Sequence, residues 1–161
     1  MGPFALTART GGRLVLHAVN AAGRRLGLRP GQSHADARAI VPDLTVAPAE
    51  PEAETRALHA LALWFERFSP AVAIDAAPPG AEGLMLDMTG AAHLFGGEAA
   101  LLGEIGRRLD DADIPASLAL ADTAGAAWAL ARHSGGRRAI APPGGAREAL
   151  ADLPVEALRL D

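Results

Sequence analysis

Residues 52–87 constrain the fold more than any other stretch of this chain. From Glu52 to Phe68, Ala57/Leu58, Leu61, Trp64/Phe65 and Phe68 recur at helical spacing, which predicts one long amphipathic helix with its aromatic stripe in a core. Directly after it, "SPAVAID" and "LMLDM" read as two short strands around the turn "AAPPGAEG". A helix that runs straight into a strand pair can hide its stripe by lying on one face of the sheet those strands begin. In "LMLDMTG" the alternation sets Leu84, Leu86 and Met88 on one face and Met85, Asp87 and Thr89 on the other. Asp87 can then be a catalytic carboxylate, a metal ligand or a residue that only marks the strand.

The rest of the chain extends this frame. Glu98 to Leu109 reads as a helix with Leu101, Leu102, Ile105 and Leu109 inward, and "IPASLALA" as a third strand. "DTAGAAWALARHSGG" reads as a helix capped by Asp122 or Thr123 with Ala124, Ala127/Trp128 and Ala131 inward, and "RRAIAPP" as a fourth strand. The order α-β-β-α-β-α-β implies an α+β fold: an antiparallel, ferredoxin-like sheet lacking its first strand, with helices on one face. Upstream, "PFALTARTGGRLVLHAV" reads as two strands joined at Gly11-Gly12, a strong hairpin signal. Two short helices follow, one capped by Asn20 and stopped at Gly27, the other capped by Ser33 and ended before Pro42. "PAEPE" at 48–52 reads as the linker between this lobe and the sheet.

Charge is distributed unevenly. Residues 1–40 carry six arginines against Asp36 alone, a net of +5, whereas the other 121 residues carry nine arginines and 18 acids, a net of −9. A basic lobe on an acidic body suits contact with a phosphate backbone, because only the contacting surface need be positive. All 15 basic residues are arginine, which excludes Schiff-base lysine chemistry and the Gly-Lys-Ser/Thr phosphate loop. With zero cysteines the chain can have no disulfide, thiol nucleophile or cysteine-ligated metal. No apolar run approaches the length of a membrane span, and "MGPFAL" has neither a leader pattern nor a myristoylation signal, so a cytoplasmic location is expected.

Side chains that could do chemistry are sparse. His17, His34, His59, His93 and His133 lack ligand spacing and read as surface or helix-end residues. Asp110, Asp111 and Asp113 lack calcium-loop spacing. Asp75, Glu82 and Asp87 flank one hairpin, and paired carboxylates on adjacent strands can hold two Mg²⁺ ions. If Asp75 faces Glu82, Asp87 falls near Pro70, too far along the strand to join them.

"RLGLRPGQSHADARAIVPDLTVAPAEP", "ERFSPAVAID", "GLMLDMTGAAHLFGGE" and "LALADTAGAAWALAR" together resemble the fingers and palm of the Y-family (UmuC/DinB-like) translesion DNA polymerases, and within them the ImuB branch, regarded as non-catalytic. The likeness covers almost the whole chain in order, with "LDMTGAAHLFGGE" its most diagnostic stretch. It implies a fingers-like lobe over 1–47, a palm-like domain over 48–141 and the start of a thumb or connector over 142–161. It also implies that a first palm strand with a further metal aspartate lies upstream and that more domains lie downstream. Aligned on Leu86-Asp87-Met88-Thr89-Gly90, the family's catalytic Asp-Glu falls on Glu82-Gly83, and Asp87 is its second, non-catalytic aspartate. The Tyr-x-x-Arg that contacts the triphosphate falls on Ala21 and Arg24, and the palm lysine on Ala124.

The resemblance therefore implies a non-catalytic subunit of bacterial, SOS-linked, mutagenic translesion synthesis, with no cofactor. It would bind damaged or primed DNA, placing phosphate contacts on Arg24, Arg25, Arg29 and Arg38, then on Arg9 and Arg13. Implied partners are the sliding clamp, a RecA-like accessory protein and an error-prone DnaE-type polymerase. The alternative is an active DNA-directed DNA polymerase using Mg²⁺ with Asp75 or Glu82. A purely protein-binding module, its arginines meeting acidic partners, is a third reading.

Overall fold

The computed structural model describes residues 2–75 and 82–158, and the chain divides into two compact units, Met1–Asp87 and Met88–Asp161. In the first, β1 (Phe4–Thr10) and β2 (Arg13–Val19) form the expected antiparallel hairpin. Gly11 (φ 56°) and Gly12 (φ 79°) both adopt the left-handed values that a tight primed turn requires. Leu6 pairs with Ala18 but Thr7 with Leu16, so His17 is the extra residue of a bulge.

Helices α1 (Ala21–Arg25) and α2 (His34–Ile40) start where their caps predict. The Asn20 side chain accepts from the Gly23 N–H at 2.9 Å, and the Ser33 hydroxyl from the Asp36 N–H at 3.1 Å. Asn20 does more than cap: Oδ1 also accepts from the Phe4 N–H at 3.1 Å, and Nδ2 donates to the Gly2 carbonyl at 2.9 Å. Ala5, Leu16, Val19, Leu28, Ala37, Val41 and Leu44 close a core beneath these elements. Each fully buried leucine there contributes about 1.5–3 kcal/mol.

The linker expected at 48–52 is two adjoining elements instead. Strand β3 (Thr45–Pro48) pairs parallel with β1, giving the order β2-β1-β3, and α3 (Pro51–Phe65) starts three residues later. Pro51 opens the helix, where a missing N–H costs nothing. The 47/48 boundary read from the sequence thus falls within β3. Helix α3 stops at Phe65, short of Phe68, but the stripe survives the stop: Phe65 and Phe68 are buried, and Trp64 lies 5.1 and 5.5 Å from their ring centres. Strands β4 (Val72–Asp75) and β5 (Gly83–Leu86) pair antiparallel. Most of the turn between them lies outside the described residues.

In the second unit, α4 (Glu98–Asp111) buries the four expected apolar residues and Gly106. Strand β6 (Leu118–Leu120), helix α5 (Ala124–His133) and strand β7 (Arg138–Ile140) follow in the expected order, then the short α6 (Ala146–Leu150). Two expectations need correction. Strands β6 and β7 run parallel, because a helix joins them as a crossover, so the antiparallel expectation holds only for β4 and β5. Helix α5 buries Ala126, Ala129 and Leu130 rather than the face of Ala124 and Trp128. Trp128 is half-buried beneath Arg132, whose guanidinium lies 4.8 Å from the ring centre.

Candidate nucleic-acid interface

The N-terminal lobe gathers all six arginines singled out in the sequence, and all six are exposed. Arg9 and Arg13 flank the Gly-Gly turn on adjacent ladder pairs, Arg9 opposite Leu14 and Arg13 opposite Thr10. Arg24 and Arg25 form the last turn of α1, and Arg29 follows in the loop to α2. Arg38 stands in the last turn of α2. Two are braced by backbone: Arg24 Nε donates to the Val19 carbonyl and Arg38 Nη2 to the Pro42 carbonyl, each at 2.9 Å.

Among the described residues, Arg9, Arg13, Arg25, Arg29 and Arg38 form no ion pair. The second unit differs. There Arg107 bonds Glu104 and Asp111, Arg108 bonds Glu104, and Arg137 and Arg138 share Asp110. The Arg108 and Arg107 hydrogen bonds hold the Glu104 carboxyl below its ordinary value, and Glu104 in turn raises Arg107. Guanidinium groups paired in this way have most of their field cancelled. Arg9, Arg13, Arg25, Arg29 and Arg38 keep theirs, and a lobe of net positive charge attracts a polyanion.

The ladder does not set the carboxylates of the β4–β5 pair opposite one another. Asp75 lies opposite Gly83, not Glu82 as expected, so the register is shifted by one residue. The Asp87 N–H donates to the Ala71 carbonyl at 3.0 Å, and its carbonyl accepts from the buried Ser69 hydroxyl at 2.5 Å. Asp87 is thus beside Ala71 rather than Pro70, four residues or about 13 Å along the strand from Asp75. Glu82 is exposed just before β5, and Gly83 brings no side chain. In the second unit Ala124 is exposed in the first turn of α5, where Thr123 caps the helix by accepting from the Ala126 N–H at 3.2 Å. Among the described residues no three His, Asp or Glu side chains group as metal ligands.

Sequence reasoning missed His17. It is half-buried in β2, and its Nε2 lies 3.3 Å from Glu54 Oε2, while Glu54 Oε1 accepts from the Glu50 N–H at 3.2 Å. One glutamate thus ties the hairpin to the start of α3. No local pattern marks a contact between residues so far apart. Leu26, Ile40 and Leu63 are the most exposed large apolar side chains of the first unit.

This architecture is that of Y-family polymerase fingers and palm. The chain superposes on the insertion ternary complex of Dbh DNA polymerase with a TM-score of 0.74 at 16% identity, over 96% of this chain and 46% of that one. The DinB protein of Sulfolobus solfataricus matches with a TM-score of 0.53 at 17% identity, over 69% of this chain and 30% of that one. At the level of sequence, residues 3–132 match the impB/mucB/samB family, and the chain belongs to that family. Protein ImuB of Caulobacter vibrioides is 58% identical over 135 residues, which is 84% of this chain and 28% of that protein. The chain therefore spans under a third of the length of that relative. Among the described residues no helix is long and apolar enough to cross a membrane.

Proposed function

We propose that this chain is the fingers and palm part of a non-catalytic, ImuB-like subunit of bacterial translesion synthesis, and that its arginine lobe holds primed or damaged DNA by the phosphate backbone. One observation carries the reading: among the described residues five lobe arginines are exposed without acidic partners, while the arginines around Asp110 and Glu104 are neutralised. Kinship to Protein ImuB and the Y-family fold supports it.

The family fold implies Mg²⁺ in active members, and the donors here do not fit it. Two catalytic metals stand about 4 Å apart and need carboxylates that bridge them. Gly83 offers no donor opposite Asp75, and Asp87 is about 13 Å away along the strand. At the positions that the resemblance assigns to the triphosphate, Ala21 and Ala124 supply neither a phenol nor an ammonium, and of those three positions Arg24 keeps its charge. The chain then positions DNA for chemistry done elsewhere. The sliding clamp, a RecA-like accessory protein and an error-prone DnaE-type polymerase are the proposed partners, in the bacterial cytoplasm as part of an SOS response.

The test is equilibrium binding of the full-length protein to a primed template between 50 and 200 mM salt, beside the variant with Arg25, Arg29 and Arg38 changed to alanine. Losing three phosphate contacts is expected to flatten the slope of log K against log salt by about 2.7. An unchanged slope would remove the lobe from the DNA and favour acidic protein partners.

A further inference from the structure

The tip of the β1–β2 hairpin is built differently from the rest of the arginine lobe. Arg9, Thr10, Gly11, Gly12, Arg13 and Leu14 are all exposed, whereas the next ladder residues toward the core, Ala8 and Val15, are partly covered. On the outer side of β2, Val15 bridges to Ser33, so only the ribbon beyond it is uncovered. A Cβ placed on Gly11 or Gly12 would meet nothing within 4 Å, so the turn stands clear of the protein. The free ribbon is two ladder pairs long, roughly 7 Å plus the turn.

Pairing fixes which way its arginines point. Directly opposed residues share a face and successive residues alternate. Arg9 and Leu14 continue the face of Thr7 and Leu16, whereas Arg13 and Thr10 continue that of Ala8 and Val15. The two guanidinium groups therefore leave opposite faces of the ribbon. A single phosphate chain running along one face can meet one of them; engaging both takes a negatively charged backbone on each side.

From this geometry we infer that the ribbon enters the major groove of duplex DNA, with Arg9 toward the phosphates of one strand and Arg13 toward those of the other. The inference rests on the reading of the lobe as a DNA-binding surface and names the form of DNA that the ribbon takes. A groove about 12 Å wide and 8.5 Å deep admits a two-stranded ribbon, while the minor groove, about 6 Å wide, does not. The glycine turn lets the tip approach the groove floor without side chains, and the ribbon itself carries no acidic residue. Contacts of this kind hold and orient duplex without reading its sequence.

Salt-dependence series with the full-length protein test this on blunt duplex, on single-stranded DNA of equal length, and on duplex whose major groove is filled by glucosylated hydroxymethylcytosine. Variants are Arg9→Ala, Arg13→Ala, the double alanine variant and the double lysine variant; the substituted side chains lie outside the core. On plain duplex each alanine is expected to flatten the slope by about 0.9 and the pair by about 1.8, with lysine retaining it. On single strands the double variant should lose no more than the worse single variant. On glucosylated duplex the substitutions should have no effect.

Unchanged duplex slopes in the double alanine variant, with Arg25, Arg29 and Arg38 still contributing, would overturn the ribbon placement and leave DNA binding by the lobe intact. Additive losses on single strands, or full losses on glucosylated duplex, would overturn it as well. No binding to any DNA would overturn both readings.

Discussion

Gly23 and Gly106 both sit in helices and are both buried, yet alanine should act unequally at the two. At Gly23 a Cβ would lie 2.6 Å from Val19 Cγ1, and Val19 is a stiff, buried, β-branched residue that cannot step aside. Gly23→Ala is expected to cost about 1–3 kcal/mol by overpacking, visible as a lowered urea midpoint. At Gly106 the obstacle is the Arg138 guanidinium, the far end of a flexible side chain. Displacing it from Asp110 gives up an exposed ion pair worth under about 1 kcal/mol, and alanine returns about 1 kcal/mol of helix propensity. Gly106→Ala should therefore leave stability within about 1 kcal/mol of wild type. A loss comparable to that of Gly23→Ala would show that Arg138 is pinned. Asn20 is the other residue whose role exceeds its sequence signal. Cap preference located it, but its bonds to Phe4 and Gly2 required the hairpin to fold back first. Asn20→Ala is expected to cost about 2 kcal/mol, the upper end for a lost cap, by the same urea measurement.

Among the elements, those with local signals were legible and those set by distant partners were not. The Gly-Gly turn fixed the hairpin, and Asn20, Ser33 and Thr123 marked helix starts because each side chain satisfies an N–H three residues ahead. Strand β3 escaped notice, since it is four residues long, ends in proline and is recruited by the first strand of the chain. The inward face of α5 was misjudged because alanines surround the helix and give its faces little contrast. The β4–β5 register slipped by one residue because a long turn, unlike a two-residue one, does not set the pairing. Within α4, the Glu104 pairs give a test at this scale. The folded pKa of Glu104 is depressed, so its contribution is full above the ordinary value of 4.5 and fades as pH falls through the lowered one. The gap in melting temperature between wild type and Glu104→Gln should hold from pH 7 to about 5 and narrow as pH falls below the ordinary value. A gap that persists at lower pH would mean that Glu104 acts through packing instead.

At the scale of the molecule, charge placement links the fold to the proposed function. Among the described residues Arg9, Arg13, Arg25, Arg29 and Arg38 form no ion pair, while the arginines of helix α4 and strand β7 pair with neighbouring acids. The candidate site could be nominated from the sequence as charge and as resemblance, because counting arginines and matching motifs need no coordinates. What the sequence withheld was which arginines are braced, which face each one leaves by, and that Asp75 meets a glycine.

The most direct measurement follows DNA binding and primer extension in one tube, with the full-length protein at saturating concentration, Mg²⁺, nucleotides and a salt series. The expected result is a complex that weakens steeply with salt and adds no nucleotide. Extension that disappears when Glu82 is changed to alanine would contradict the account, since it would show a working active site where the ladder sets Asp75 opposite a glycine.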